Sequence, residues 1–270
     1  MSGTTQTLRH RTVLLPGGLR VHAVEQGDPA GPVVVLVHGW PDSWFSWSRV
    51  LPHLDPRLHA VAHSQRGFGD SDHPATGYDL DAFADDVVAL CDVLGVGRAH
   101  LVGHSFGTFV VRRAAQEHPD RVDRMVLMGA ADRMGDGLVR EVRSAIADLP
   151  DPVPVEFARE FQAGTVHRPL PPDFFDAIVA ESRKAPAHVF RDVWEGLAHS
   201  RDRDRLGDVT APTLVLWGEA DALFDRGQED RLVAALPDAR LRVYPDTGHC
   251  PNWERPEDVA ADVNAFLLPR

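Results

Sequence analysis

Residues 101–107, Leu101-Val102-Gly103-His104-Ser105-Phe106-Gly107, constrain this chain more than any other stretch. They spell Gly-x-Ser-x-Gly directly after an apolar strand and directly before a helical segment. A strand that turns sharply into a helix leaves little room at its flanks. Glycines at 103 and 107 let the neighbouring elements pass close to the turn. Ser105 is then expected in a strained backbone conformation, with its hydroxyl above the sheet. The amide of Phe106 falls at the helix start, where N–H groups lack internal partners and attract negative charge.

The 270 residues, 43% hydrophobic and 25% charged, suit one sizeable globular domain with room for an inserted subdomain. A net charge of -12 disfavours nucleic acid or an anionic membrane as partner. The two cysteines, Cys91 and Cys250, make no disulfide framework, which points to a reducing compartment. Met1 to His10 is polar, and no segment approaches membrane-spanning length, so a cytoplasmic chain is expected.

Two short strands, Thr12–Leu15 and Leu19–Glu25, flank a Pro16-Gly17-Gly18 hairpin signal. Val33-Val34-Val35-Leu36-Val37 is a β-branched run of the kind buried on both faces of a sheet. It ends in His38-Gly39-Trp40-Pro41-Asp42. The pattern predicts a helix over Ser43–Leu54 and a strand over Leu58–Ala62. A helix over Asp79–Leu94 follows from Leu80, Phe83, Val87, Leu90 and Leu94, with Gly95 as its cap. Strand His100–Gly103, helix Phe106–His118 and strand Val122–Gly129 come next. From about Ala131 to Asp208 prolines multiply and strand signals vanish. Apolar pairs Phe157/Phe161, Phe174/Ile178 and Phe190/Trp194 mark short helices lying over the sheet. Strand Thr213–Trp217, helix Gln228–Leu236, strand Arg240–Tyr244 and helix Pro256–Leu268 complete an α/β pattern with a mainly parallel central sheet flanked by helices.

A serine hydroxyl is a weak nucleophile and needs an adjacent base, which in turn needs a partner to fix its tautomer. Asp221 follows the strand that ends at Trp217, and His249 follows the strand that ends at Tyr244. With Ser105 they lie past the carboxyl ends of parallel strands, on the edge where open α/β sheets place their sites. The chain order serine, acid, histidine is that of the α/β-hydrolase arrangement.

His38-Gly39-Trp40-Pro41, Arg66-Gly67-Phe68-Gly69-Asp70-Ser71, Gly103-His104-Ser105-Phe106-Gly107, Trp217-Gly218-Glu219-Ala220-Asp221 and Gly248-His249 together resemble the α/β-hydrolase superfamily over nearly the whole chain. The resemblance implies an α/β-hydrolase fold, with core segments 1–130 and 209–270 and a helical cap at 131–208. It implies Ser105 as nucleophile, His249 as general base and acid, Asp221 as orienting acid, and the amides of Trp40 and Phe106 as oxyanion hole. It implies neither cofactor nor metal.

Asp132, after the strand Met125–Ala130, and Glu219 compete with Asp221. His38 is expected to shape the oxyanion loop and His104 to line the turn at Ser105. Both, with Trp194, are candidate pocket residues. Most of the histidines other than His249 are expected to be surface or solvated polar residues. His59 and His63 share a strand face without carboxylate or cysteine company, which argues against a metal site. Asp70 and Asp72 fit loop-stabilising hydrogen bonds, and Cys250 fits a small packed residue.

The Trp40-Pro41-Asp42 loop resembles those of epoxide hydrolases and haloalkane dehalogenases, whose nucleophile is a carboxylate. A serine leads instead to an acyl-enzyme. The expected reaction is hydrolysis of a small hydrophobic ester or lactone, with a cofactor-free haloperoxidase (perhydrolase) or carbon–carbon-bond hydrolase as alternative enzymes. A small-molecule receptor of the same fold is the alternative of another class.

Overall fold

In a computed structural model of the protein, residues 7–200 and 202–268 are described. Met1–Gln6, most of the polar opening stretch, lie outside them. An eight-stranded sheet forms the centre, in the order β1-β2-β4-β3-β5-β6-β7-β8. Its strands are β1 (Arg9–Leu14), β2 (Arg20–Gly27), β3 (Val33–Val37), β4 (His59–His63), β5 (Ala99–His104), β6 (Val122–Met128), β7 (Thr213–Gly218) and β8 (Ala239–Tyr244). The β1–β2 hairpin and the β2–β4 pair are antiparallel; from β4 through β8 every pairing is parallel. All five residues of β3 are buried, because it lies between β4 and β5 with helices over both faces. Continuous β-branched runs are the signature of that position.

Helices α1 (Leu80–Val93) and α2 (Phe106–Glu117) cover one face, where Phe83, Val87, Leu90, Phe109 and Val110 join the larger core cluster. Asp79 caps α1 by accepting the Ala82 amide at 2.9 Å. Between β6 and β7 the chain passes through α3 (Asp136–Ile146), α4 (Val155–Gly164), α5 (Pro172–Ser182) and α6 (Ala187–Ala198). Then follow α7 (Arg226–Ala235) after β7, and α8 (Pro251–Glu254) and α9 (Pro256–Leu267) after β8. Val259, Val263 and Phe266 of α9 pack on the opposite face of the sheet from α1 and α2, with Trp47, Leu51 and Leu54. No described helix is long and apolar enough to cross a membrane.

One expectation is corrected here. Ser43–Leu54 is not one helix but two 3₁₀ turns, Trp44–Trp47 and Leu51–His53. Pro52 interrupts the helical ladder, and Ser43 spends its hydroxyl capping the Phe45 amide at 3.2 Å. The spacing of Trp47, Leu51 and Leu54 still buries all three, so short turns and a helix share one apolar pattern. His38, His59, His63, His100, His104 and His249 are buried, and the other eight histidines are partly or fully exposed.

Candidate active site

The turn from β5 into α2 holds Ser105 at φ 50° and ψ −119°, a left-handed conformation rare outside glycine. The flanking glycines make this possible. A methyl on Gly103 would run into the carbonyl of Gly107, and one on Gly107 into the carbonyl of Val37. The Ser105 amide donates to Met128 O at 2.8 Å, which ties the turn to the end of β6.

Past β7, the Asp221 amide donates to Gly218 O at 3.0 Å and the Ala220 amide to Thr247 O at 2.9 Å. This turn is thereby latched to the loop carrying His249. Gly218 sits so close to Thr247 and Gly248 that any side chain there would separate the loops. The result is a chain of hydrogen bonds. His249 Nδ1–H donates to Asp221 Oδ2 at 2.8 Å, and the Ser105 hydroxyl donates to His249 Nε2 at 2.8 Å. Because the carboxylate can only accept, the proton stays on Nδ1 and Nε2 is free to take the serine proton. The other Asp221 oxygen accepts the amides of Leu223 and Phe224 at 2.8 and 3.1 Å. Burial pushes the Asp221 carboxyl up, but His249 and these two amides outweigh it and hold the group below its ordinary value.

Asp132 is turned elsewhere. Arg231 reaches it at 3.1 Å and Arg203 at 3.8 Å. Glu219 is exposed, with its backbone amide on Tyr244 O.

His38 accepts the Gln65 amide on Nε2 at 3.0 Å and donates from Nδ1 to Gly39 O at 2.7 Å. It therefore braces the loop before Trp40. Burial lowers its pKa to about 3. His104 donates from Nε2 to His249 O at 3.1 Å; burial, followed by repulsion from His249, lowers it to about 3 as well. The amides of Trp40 and Phe106 have no acceptor among the described residues.

Above Ser105 a narrow pocket is bounded by Trp40, Phe106, Phe109, Leu138, Phe161 and Trp194, among others. Its walls are apolar apart from the serine and two indoles. Trp194 Nε1 donates to Val139 O at 3.2 Å, whereas Trp40 Nε1 is buried without a partner among the described residues. Trp194 lines this pocket. His38 and His104 do not: both are sealed behind the loops they brace, and the expectation is corrected on that point. Leu138 and Phe109 also line it, and the sequence marks their apolar faces by the spacing of Leu138 with Val142 (i, i+4) and of Phe106 with Phe109 (i, i+3).

His59 does have carboxylate company, contrary to expectation: Nε2 lies 3.2 Å from Glu25 Oε2 on the adjoining β2. Among the described residues no group of three or more His, Cys, Asp or Glu could hold a metal ion. Asp72 binds Arg20, and Asp70 binds Lys184 at 2.9 Å. Cys250 is buried, its thiol 3.4 Å from Thr165 Oγ1.

The fold and this site define a hydrolase of the α/β class. The family model described as the alpha/beta hydrolase fold matches residues 32–256, and the chain belongs to that family. The chain is 28% identical to epoxide hydrolase A of Mycobacterium tuberculosis over a 310-residue alignment covering 93% of this chain and 94% of that protein. It is 30% identical to a non-heme chloroperoxidase of Streptomyces lividans over 278 residues, covering 95% and 99% of the two chains. Among solved structures, a thermophilic esterase from Thermogutta terrifontis superposes with a TM-score of 0.85 at 26% identity, covering 96% and 98% of the two chains.

Proposed function

We propose that the protein hydrolyses a small hydrophobic carboxylic ester or lactone through an acyl-enzyme. The observation that carries the reading is the unbroken path from Ser105 Oγ through both nitrogens of His249 to Asp221, each step 2.8 Å. Ser105 attacks the carbonyl carbon while His249 Nε2 takes its proton. The amides of Trp40 and Phe106 stabilise the oxyanion, a donor of this kind being worth about 3 kcal/mol. His249 then protonates the leaving alcohol, activates water for deacylation, and returns a proton to Ser105. Residues 131–208 act as the cap that supplies the apolar pocket walls.

The epoxide-hydrolase relatives do not carry the choice of reaction. Ring opening at an sp³ carbon releases an alkoxide that needs an acid donor. The chain has two tyrosines. Tyr78 donates to Pro74 O and Tyr244 to Asp262, and neither lines the pocket. The nucleophile position holds a serine, whose alkoxide suits an acyl carbon. The chloroperoxidase relative supports a second reading as a side activity, with peroxide replacing water in deacylation so that the acyl group leaves as a peracid.

The test is covalent labelling by a fluorophosphonate together with turnover of short p-nitrophenyl esters. Both should be lost in Ser105→Ala, with kcat falling on the order of a millionfold. Ester turnover retained by that variant would refute the assignment. Labelling without repeated turnover would favour a receptor.

A further inference from the structure

The last turn of α4 touches both halves of the site. Phe161 sets its ring edge-on to Trp40, with centroids 5.0 Å apart, and forms part of the pocket wall. The next residue, Gln162, is 1% exposed. Its side-chain amide donates to Asp42 Oδ1 at 2.9 Å and to Ser182 Oγ at 2.7 Å. The Ser182 hydroxyl donates to Ile178 O at 2.8 Å, which anchors this point in α5. Just beyond α4, the Thr165 carbonyl accepts the His249 amide at 2.9 Å, while its hydroxyl donates back to Gln162 O at 2.8 Å.

Asp42 sits two residues past Trp40 in a tight turn. Its amide donates to Gly39 O at 3.0 Å, and its Oδ2 accepts the Ser46 hydroxyl at 3.2 Å. The groups facing its carboxyl are Gln162, Ser46 and His104 Nδ1 at 3.9 Å, with His249 and Cys250 within electrostatic reach. A buried carboxyl and a buried amide are each costly without a partner, so the two must be seated together. A pair that only fastened helices to the core could lie anywhere along the contact. This one ends in the turn that presents the Trp40 amide, one residue from the pocket wall.

We infer that Gln162 is a positioning residue for the proposed ester hydrolysis: through Asp42 it holds the Gly39-Trp40 turn so that the Trp40 amide faces the developing oxyanion. The inference rests on the acyl-enzyme reading above. Oxyanion donors work by being in place before charge develops. A misplacement of about 1 Å costs on the order of a hundredfold in rate.

Two variants test it, Gln162→Leu and Gln162→Glu, with competent sites counted by fluorophosphonate incorporation so that misfolded protein drops out. Gln162→Leu should lower kcat per titrated site by about tenfold to a hundredfold and leave KM within about threefold, since the lost alignment matters in the transition state. Gln162→Glu sets two carboxyls face to face. It should match that loss at alkaline pH, where both are ionised. Its kcat relative to the native protein should recover as pH falls and one proton is shared. Taking the ratio removes whatever pH dependence the two proteins share. Native kcat per site in either variant, an effect on KM alone, or a ratio flat with pH would each overturn the inference. A native protein that takes no label would instead defeat the hydrolase reading, and the inference with it, before any variant is compared.

Discussion

Replacing His63 with leucine should make the protein markedly less sensitive to acid. His63 ends β4, 1% exposed, and neither ring nitrogen meets a partner among the described residues. Burial lowers its pKa from 6.5 to about 4. In the unfolded chain the imidazole takes up a proton near its ordinary value, while the folded chain refuses it until about pH 4. Below 6.5 the unfolded state therefore binds more protons, and stability is lost as pH falls through that window. The slope approaches about 1.4 kcal/mol per pH unit, and by pH 4 the loss accumulates to about 3 kcal/mol. That is a large part of a typical stability of about 5–15 kcal/mol. Leucine has nearly the same volume and no proton to take up. Urea titrations of both proteins, at steps from about pH 8 to about pH 4.5, give the difference in unfolding free energy directly. Contributions from His104 and Asp42 are common to both chains and cancel, and His38, which His63 repels, takes up its proton in the folded state only near pH 3, below the series. The variant should gain steadily on the native protein below pH 6.5 whatever its offset at pH 8. A difference that stays constant through the series would refute the reasoning.

Other outcomes follow from the same geometry. Asp221→Asn should lower kcat by about 10⁴, because an amide leaves His249 in the wrong tautomer; Asp132→Asn, whose carboxylate is held by Arg231 and Arg203, should stay within about threefold of native in the same p-nitrophenyl ester assay. Gly103→Ala forces a methyl against the backbone of Gly107, and to 2.8 Å from Thr108 N, so it should cost about 3 kcal/mol or more in a urea titration. Trp194→Ala opens the pocket wall and should shift kcat/KM from acetyl toward longer acyl esters by roughly tenfold, read from a chain-length series.

Much of the architecture is legible because local patterns carry it. The Val33–Val37 run could only be a strand covered on both faces, and Gly103 and Gly107 mark the one place where β5, α2 and β3 crowd together. Ser105, Asp221 and His249 could be nominated because each follows a strand end, and strand ends of a parallel sheet share an edge. What stayed hidden depends on contacts between residues far apart in the chain. Nothing near Asp42 announces Gln162, 120 residues away, and nothing near His59 announces Glu25. Which histidines are buried is hidden for a related reason. An imidazole reads as polar, yet His38 is stable in the interior once one nitrogen accepts from Gln65 and the other donates to Gly39. The Ser43–Leu54 helix was misread because helical spacing and two 3₁₀ turns bury the same side chains.

Trapping the acyl intermediate bears most directly on the central claim. Rapid acid quench of the protein mixed with p-nitrophenyl acetate, followed by peptide mapping, should find one acetyl group on the peptide holding Ser105, and none in Ser105→Ala. An acetyl group on any other residue, or ester turnover that continues unchanged in Ser105→Ala, would contradict it.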